Sequence, residues 1–314
     1  MNDKKLIKIK LIAWSIVAIL LCVVLVNGIW GGRRNFFIWS GFNFGSYSGN
    51  MKEVKTYTFD KNENIKNINA LLDTSDLIIS ENNEDNIKVI VRCSKVSKNK
   101  KYMDVNVDKN VLNIKYLNKN QNFLKFLKNY SLEVEVKIPK SYKNTLSIKD
   151  NVGDVDVNSD LDLKSLAMNV DTGDIETERN IKADKIVVDG NVGDIEFASL
   201  QGDTINIKGK IGDLEIDKFK GKGTIESKVG DIKCNIEDLT GDFDIKSKNG
   251  NVELNVNKKL SFDFEGNQNF GDIDTSLTFN NVSQSSDFFS GRYGKNPVGK
   301  ISVNVKTGDI SIND

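Results

Sequence analysis

Apolar and polar residues alternate through most of this chain, and in its second half a recurring Gly-Asp dipeptide divides the alternation into units. The dipeptides, each followed within two residues by Ile, Val or Leu, begin at Gly153, Gly173, Gly193, Gly212, Gly230, Gly271 and Gly308. The intervals are 20, 20, 19, 18, 41 and 37 residues, and Gly250-Asn251 divides the interval of 41 into 20 and 21. Such a period is typical of stacked repeats, in which each repeat is one supersecondary unit.

Each unit offers two short strands joined by a bend. The first apolar pair after the turn is, in three successive units, Ile195/Phe197, Leu214/Ile216 and Ile232/Cys234. Alternation of this kind predicts a strand with one buried face. One unit buries too few side chains to offset its own chain entropy, so the units must stack on one another. The pattern therefore predicts an all-β fold, a single-stack β-solenoid or β-helix-like domain with about 20 residues per coil, in which Ile195, Leu214 and Ile232 share one column.

The regularity of the turns divides the repeat region in two. Residues 51–144 alternate as well, as in Leu132-Glu-Val-Glu-Val-Lys-Ile138, but they lack regular Gly-Asp turns. We predict that 51–144 form the irregular β N-terminal part of the solenoid and that 145–314 form its regular part. A loop insertion at 281–300 accounts for the final interval of 37 residues.

The amino terminus carries a different pattern. Residues 11–32 contain no charge and follow four lysines in residues 1–10. This length of apolar chain is enough to cross a bilayer, and it predicts one transmembrane helix. A cleaved signal peptide is the alternative, although its apolar core is normally shorter. We expect residues 1–10 to be a basic cytoplasmic tail, 33–50 an aromatic, Gly/Ser-rich juxtamembrane stalk, and the solenoid to lie outside the cell membrane.

Composition limits the partners and the kinds of catalysis that we expect of this chain. Lys+Arg and Asp+Glu both number 44, and the chain has no histidine. Charge balance gives no field that favours nucleic acid, so no nucleic-acid partner is expected. The absence of histidine removes the usual general base and the commonest zinc ligand. We therefore predict a protein that is not an enzyme and has neither a cofactor nor a metal site.

Particular residues carry a resemblance to a known family. The run Leu132-Glu-Val-Glu-Val-Lys-Ile-Pro-Lys140, then Leu146-Ser-Ile148, then the serial Gly-Asp turns resemble the DUF4097 family over roughly residues 51–314. The resemblance implies a solenoid-like all-β fold on a membrane-anchored bacterial envelope protein that is a candidate adhesin. It supplies no catalytic motif. Some relatives accompany envelope stress-response systems, which implies a regulatory alternative.

The recurrent aspartates and the cysteines each leave two interpretations open. We expect Gly to take the positive-φ position and Asp to cap its own turn by accepting a backbone N–H two residues on. Calcium binding by a column of aspartates is the alternative. Cys234 falls at an inward position and is expected in the core, with a disulfide to Cys93 as the alternative.

Two segments interrupt the repeat pattern and are the candidate partner contacts. The first is 121–129 and the second is the insertion at 281–300. Loops that leave a rigid scaffold often carry recognition, whereas the alternative is that each segment caps an exposed end of the stack. The candidate contact residues are Phe123, Phe126, Phe288, Phe289, Arg292 and Tyr293.

Three functional classes follow. The first is a non-catalytic, membrane-anchored extracellular module for surface adhesion, display or interaction, which contacts a polymer or a protein of the cell envelope. The second is an envelope-stress regulatory accessory protein that acts through a membrane partner. The third is a β-helix enzyme acting on polysaccharide, which the scattered carboxylates and the five arginines disfavour.

Overall fold

The computed structural model of the chain describes residues 51–60, 63–95, 101–117 and 131–314. Its strands are β1 (Lys52–Asp60), β2 (Asn67–Leu71), β3 (Asp76–Asn82), β4 (Asn86–Cys93), β5 (Met103–Asp108), β6 (Val111–Tyr116), β7 (Leu132–Pro139), β8 (Thr145–Asp150), β9 (Val155–Val157), β10 (Leu161–Val170), β11 (Ile175–Val192), β12 (Ile195–Ile211), β13 (Leu214–Val229), β14 (Ile232–Asn249), β15 (Val252–Val256), β16 (Phe262–Phe270), β17 (Ile273–Thr275), β18 (Asn280–Gln284), β19 (Phe288–Tyr293), β20 (Lys300–Thr307) and β21 (Ile310–Asn313). The described part of the chain is thus all-β. None of it forms a helix with the length and apolarity needed to cross a bilayer, and the predicted span at 11–32 lies outside the described residues.

Two parallel strand ladders run through the stack. In the first ladder, Ile195 pairs with Leu214 and Leu214 pairs with Ile232. In the second ladder, the later halves of β11 to β14 pair in the same order, so each of these long strands belongs to both. The predicted column of Ile195, Leu214 and Ile232 is therefore confirmed, and all three side chains are at most 2% exposed.

The core fills the space between the ladders. Its largest fully buried side chains include Phe197, Phe219 and Phe243. Gly223 occupies the column position of Ile205, where a larger side chain stands in other coils. In the next coil Phe243 takes that position and stacks on Phe219, with ring centroids 4.2 Å apart. A ring from one coil thus fills the volume that a glycine leaves in its neighbour, which keeps the interior densely packed.

The coils at the amino-terminal end do not follow chain order. β2 lies between β6 and β8, and β3 lies between β7 and β9. The coil of β2 and β3 is therefore inserted between two coils that come later in the chain. These pairings also cross residue 144, so the irregular and the regular parts share the same ladders.

The carboxy-terminal end repeats this arrangement. β20 lies between β14 and β16, and β21 lies between β15 and β17. Successive coils therefore do not stack in chain order at either end of the repeat region. Intercalation pairs the last coil on both of its edges, whereas a coil placed last in the stack would leave one edge open.

Antiparallel strands lie outside these intercalated coils. At one end β4 pairs with β7 and β1 pairs with β4, while β5 pairs with β6. At the other end β19 pairs with β16 and β18 pairs with β19. The side faces of the regular coils between these ends carry the surface described next.

Candidate interaction surface

The Gly-Asp turns form one edge of the stack, and geometry restricts their first residue to glycine. The turn glycines from Gly153 to Gly308 have φ between +132° and +154°. A Cβ at Gly173, Gly193 or Gly212 would lie 2.0 to 2.1 Å from the carbonyl oxygen of the turn glycine in the coil before it. The turns therefore stack backbone on backbone, and a side chain would force the coils apart.

The aspartates join each turn to the next. The backbone N–H of Asp194 donates to Oδ1 of Asp174 at 2.8 Å, and the N–H of Asp213 donates to Oδ1 of Asp194 at 2.7 Å. The series continues through Asp231, and Asn251 takes the same place with its amide oxygen, which accepts from Asp309 at 2.9 Å. Each side chain thus satisfies a donor of the neighbouring coil.

This geometry corrects the expected role of the aspartates. We expected each carboxylate to accept a donor within its own turn, but the donor belongs to the coil that follows, 18 to 20 residues away for Asp154 through Asp231. The stacked turns bring that N–H within 2.7 to 2.9 Å of the carboxylate. In the part of the chain that the structure describes, no group of three or more His, Cys, Asp or Glu side chains is arranged to hold a metal ion.

A second column of acids stands beside the first on the outer face of the first ladder. Asp156 pairs with Glu176, Glu176 with Glu196, and Glu196 with Glu215. Partial burial and then the neighbouring carboxylates raise the pKa of Asp156 to about 6, and the same causes raise the pKa of Glu196. Two parallel columns of carboxylates therefore repeat on consecutive coils, about 4.8 Å apart.

Asp150 is a carboxylate inside the stack. It ends β8 and is fully buried. Its Oδ1 accepts the N–H of Val152 at 3.2 Å, while its Oδ2 has no partner within hydrogen-bonding distance. Burial, with a contribution from Asp76 and Asp73, raises its pKa to about 7. A proton on Oδ2 removes the cost of a buried negative charge.

An ion network occupies the amino-terminal end of the first ladder. Arg92 donates to Glu133 and to Glu135, with both distances 2.5 Å, and the Ser80 hydroxyl donates to Glu135 at 2.6 Å. Burial alone would raise the pKa of Glu135, but the bonds from Ser80 and Arg92 hold it below its usual value. The network ties β3, β4 and β7 together, which gives these charges a structural role.

The structure places four of the six candidate contact residues on β19. Phe289 is 7% exposed and packs against Phe264 and Phe279, so its ring faces the core. Arg292 forms a bidentate ion pair with Asp263, at 2.7 and 3.2 Å, and Tyr293 packs against Phe262. These side chains hold the β18–β19 hairpin on β16, and only the intermediate exposure of Phe288, Arg292 and Tyr293 leaves area for a partner. Phe123 and Phe126 lie outside the described residues.

A scan against protein families decides the relationship. The model described as Toastrack DUF4097 matches residues 65–313. The chain belongs to the DUF4097 (Toastrack) family. The resemblance found in the sequence is therefore confirmed, and the coil pattern of 145–314 is this Toastrack domain's version of a solenoid-like fold.

Solved structures are similar to this chain at low identity. A protein named "putative adhesin" from Bacteroides fragilis NCTC 9343 is 16% identical, with a TM-score of 0.47, over 82% of this chain and 97% of that one. A protein named "putative lipid binding protein" from Parabacteroides distasonis ATCC 8503 is 14% identical, with a TM-score of 0.39, over 84% and 98%. Likenesses of this size carry no conclusion about activity. No curated protein matches the chain.

The Toastrack domain contains one core feature that the sequence predicted and one that it did not reveal. The core position predicted for Cys234 is confirmed, since Cys93 and Cys234 are both buried free thiols, and burial raises the pKa of Cys234 far above its ordinary value. Phe279 contacts four aromatic rings under the hairpin, although it sits outside the repeat positions. The aromatic density of 262–293 was the available signal for this cluster.

Proposed function

We propose that this Toastrack protein is a non-catalytic interaction module, held outside the cell membrane by a single span at 11–32, that contacts a polymer or a protein of the cell envelope through the side faces of its stack. The observation that carries this proposal is the repetition of the same outward side chains on successive coils. Asp174, Asp194 and Asp213 stand in one column, and Glu176, Glu196 and Glu215 stand in another.

Repetition of this kind suits multivalent contact. Each exposed charge contributes little on its own, because water screens it. Many such charges on one rigid face contribute together, since the stack has already fixed their spacing. An enzyme instead concentrates a few perturbed groups in one enclosed site. The carboxylates here are distributed by the repeat, which supports an interaction role over catalysis.

The location is tested by protease treatment of intact cells that carry the full-length protein with an epitope tag after Asp314. We expect external protease to remove the tagged domain without lysis, while a cytoplasmic marker stays intact. Protection of the domain until the cells are lysed would refute the extracellular placement.

The interaction role is tested by crosslinking the full-length protein in intact cells and identifying what is attached. Covalent attachment to wall polymer, or to the same envelope protein in replicate cultures, supports the proposal. A companion variant, in which an unrelated apolar span replaces 11–32, separates a partner of the domain from a partner of the span. Attachment that survives the exchange belongs to the domain, and attachment that is lost belongs to the regulatory alternative, which acts through the span.

A further inference from the structure

A column of four lysines stands on the outer face of the second ladder, near the Gly-Asp edge. The pairs Gly209–Ser227 and Ile211–Val229 set Lys210 beside Lys228. The pair Ser227–Ser247 sets Lys228 beside Lys248, and the pairs Ser247–Val305 and Asn249–Thr307 set Lys248 beside Lys306. All four lysines are exposed. We call Lys210, Lys228, Lys248 and Lys306 the lysine column.

The lysine column depends on the intercalated C-terminal coil. Lys306 belongs to β20, which lies between β14 and β16. In chain order the coil after Lys248 would have contributed Asn269 instead, which now follows Lys306 in the column. Asn191 precedes Lys210 at the other end. Four consecutive cations are thus bounded by two neutral amides.

The lysine column lacks the ion pairs with carboxylates that other lysines on the stack form. Lys233 pairs with Glu215 at 2.5 Å, while Lys208 and Lys246 share Glu226 at 3.5 and 3.8 Å. None of the four column lysines forms an ion pair with any residue that the structure describes. Like charges on paired strands destabilise a sheet. An anionic ligand along the column would relieve that repulsion.

An open depression lies beside the lysine column. Lys228, Lys248 and Lys306 border it, its volume is about 430 Å³, and its other lining residues include Lys246, Asn267 and Glu226. Because the depression is open to solvent, a ligand bound there keeps part of its water.

Exposed aliphatic residues lie mostly beside the first half of the column. Ile211 and Val229 follow Lys210 and Lys228 directly, but Asn249 and Thr307 follow Lys248 and Lys306, and the next exposed apolar residue, Phe270, follows Asn269 beyond the column. A bilayer surface would be matched by aliphatic residues along the full length of the column, so this distribution favours a polymer over a lipid surface.

We propose that the lysine column binds a linear polymer of phosphate groups laid along the stack axis. The lysines recur about every 4.8 Å, so one extended chain can meet all four. Lysine acts as a point charge with three donors, which suits phosphate oxygens, and the column has no arginine fork that would favour planar carboxylates. The inference rests on the proposed function, because it names the class of envelope polymer that the module contacts.

The test uses the full-length protein in non-ionic detergent, titrated with sodium polyphosphate at several salt concentrations. The variant Lys228→Gln/Lys248→Gln/Lys306→Gln removes three charges from the column. The matched control Lys164→Gln/Lys182→Gln/Lys185→Gln removes three exposed charges from β10 and β11. Circular dichroism and the thermal midpoint establish that both variants fold.

We expect the column variant to bind polyphosphate about tenfold more weakly than the parent at about 0.1 M salt. The slope of log affinity against log salt should fall by about 2, because about three counterion-releasing contacts are lost. The control variant should stay within about twofold of the parent. Equal losses in the two variants, or no loss in either, would overturn the proposal.

Two further probes distinguish a phosphate polymer from other ligands that carry negative charge. Poly-glutamate presents carboxylates on a linear chain, and vesicles of phosphatidylglycerol and phosphatidylcholine present phosphate on a surface. Weaker column-dependent binding of both than of polyphosphate supports the proposal, and equal or tighter binding of either overturns it.

The protease experiment on intact cells distinguishes failure of this inference from failure of the proposed function. If polyphosphate fails to bind while intact cells still expose the domain to protease, the lysine column is refuted and the surface role stands. If polyphosphate binds through the column while the domain is protected in intact cells, the extracellular placement is refuted and the column stands as an anion site.

Discussion

The stacked turns make a sharp prediction about Gly212, because a matched glycine, Gly209, lies three residues earlier, near the end of β12. Gly212 has φ +133°, and a Cβ there would lie 2.0 Å from the carbonyl oxygen of Gly193 and 2.9 Å from Oδ1 of Asp194. Gly209 has no atom within 4 Å of its Cβ position. The substitution Gly212→Ala therefore strains the turn, whereas Gly209→Ala adds a methyl group to open space.

The expected magnitude follows from two costs. Holding alanine at a positive φ costs about 1 to 3 kcal/mol. Relieving the contact with Gly193 requires the coils to separate, which costs about another 1 to 3 kcal/mol, as overpacking does elsewhere. Gly212→Ala should therefore destabilise the domain by about 2 to 6 kcal/mol. Gly209→Ala should be close to neutral or stabilise it by up to about 1 kcal/mol, because it restricts the unfolded chain.

The assay is urea unfolding of the full-length protein in non-ionic detergent, followed by circular dichroism in the β-sheet region. A repeat stack need not unfold in one step, so the transition midpoints are compared rather than extrapolated free energies. Gly212→Ala should lower the midpoint clearly, and Gly209→Ala should not. Equal midpoints for the two variants would refute the close stacking of the turns.

Three other predictions follow from the same geometry. Asp213→Asn should leave the urea midpoint unchanged, because an amide oxygen already accepts the same bond at Asn251. Asp213→Ala should destabilise the domain by about 1 to 2 kcal/mol, because it leaves the N–H of Asp231 without its acceptor. Equal effects of the two substitutions in urea unfolding would contradict this role. Asp150 should make stability fall as pH rises from about 4 to about 7, because its carboxyl has a pKa of about 7 in the folded state and retains a proton that the unfolded chain has already lost. Asp150→Asn should flatten this part of the pH dependence of the thermal midpoint. An unchanged slope in that variant would refute the prediction. Removal of residues 300–314 should also detach residues 257–299 from the stack, since β20 and β21 connect that segment to it. Limited proteolysis with mass spectrometry should then find new cleavage sites in 257–299. Continued protection of that segment would refute the pairing order.

The sequence predicts the parts of this fold that depend on a period along the chain. The twenty-residue interval and the alternating apolar positions placed Ile195, Leu214 and Ile232 in one column, because both signals reflect a structure that repeats along the chain. The role of Asp174 was less accessible. Its acceptor geometry depends on how closely two coils approach, and that distance is set by the glycine contacts between coils rather than by the turn itself.

The lysine column also separates contacts that the local period predicts from contacts that it does not. Lys210, Lys228 and Lys248 are spaced by 18 and 20 residues, so their alignment could have been inferred from the period. Lys306 is 58 residues beyond Lys248. Its place in the column follows only from the intercalation of β20, a long-range pairing that no local pattern encodes.

The intercalated coils shorten the free strand edges at the carboxy-terminal end of the stack. A stack built in chain order would finish with a full-length coil whose unpaired backbone groups invite another copy to add. Here the last coil of the chain is paired on both edges, and the outermost strand of the first ladder is β17, which has only three residues. The outermost strand of the second ladder is β18, whose side chains are all exposed. Short and polar edges are poor templates for strand addition, so this end of the stack is protected against the addition of another copy.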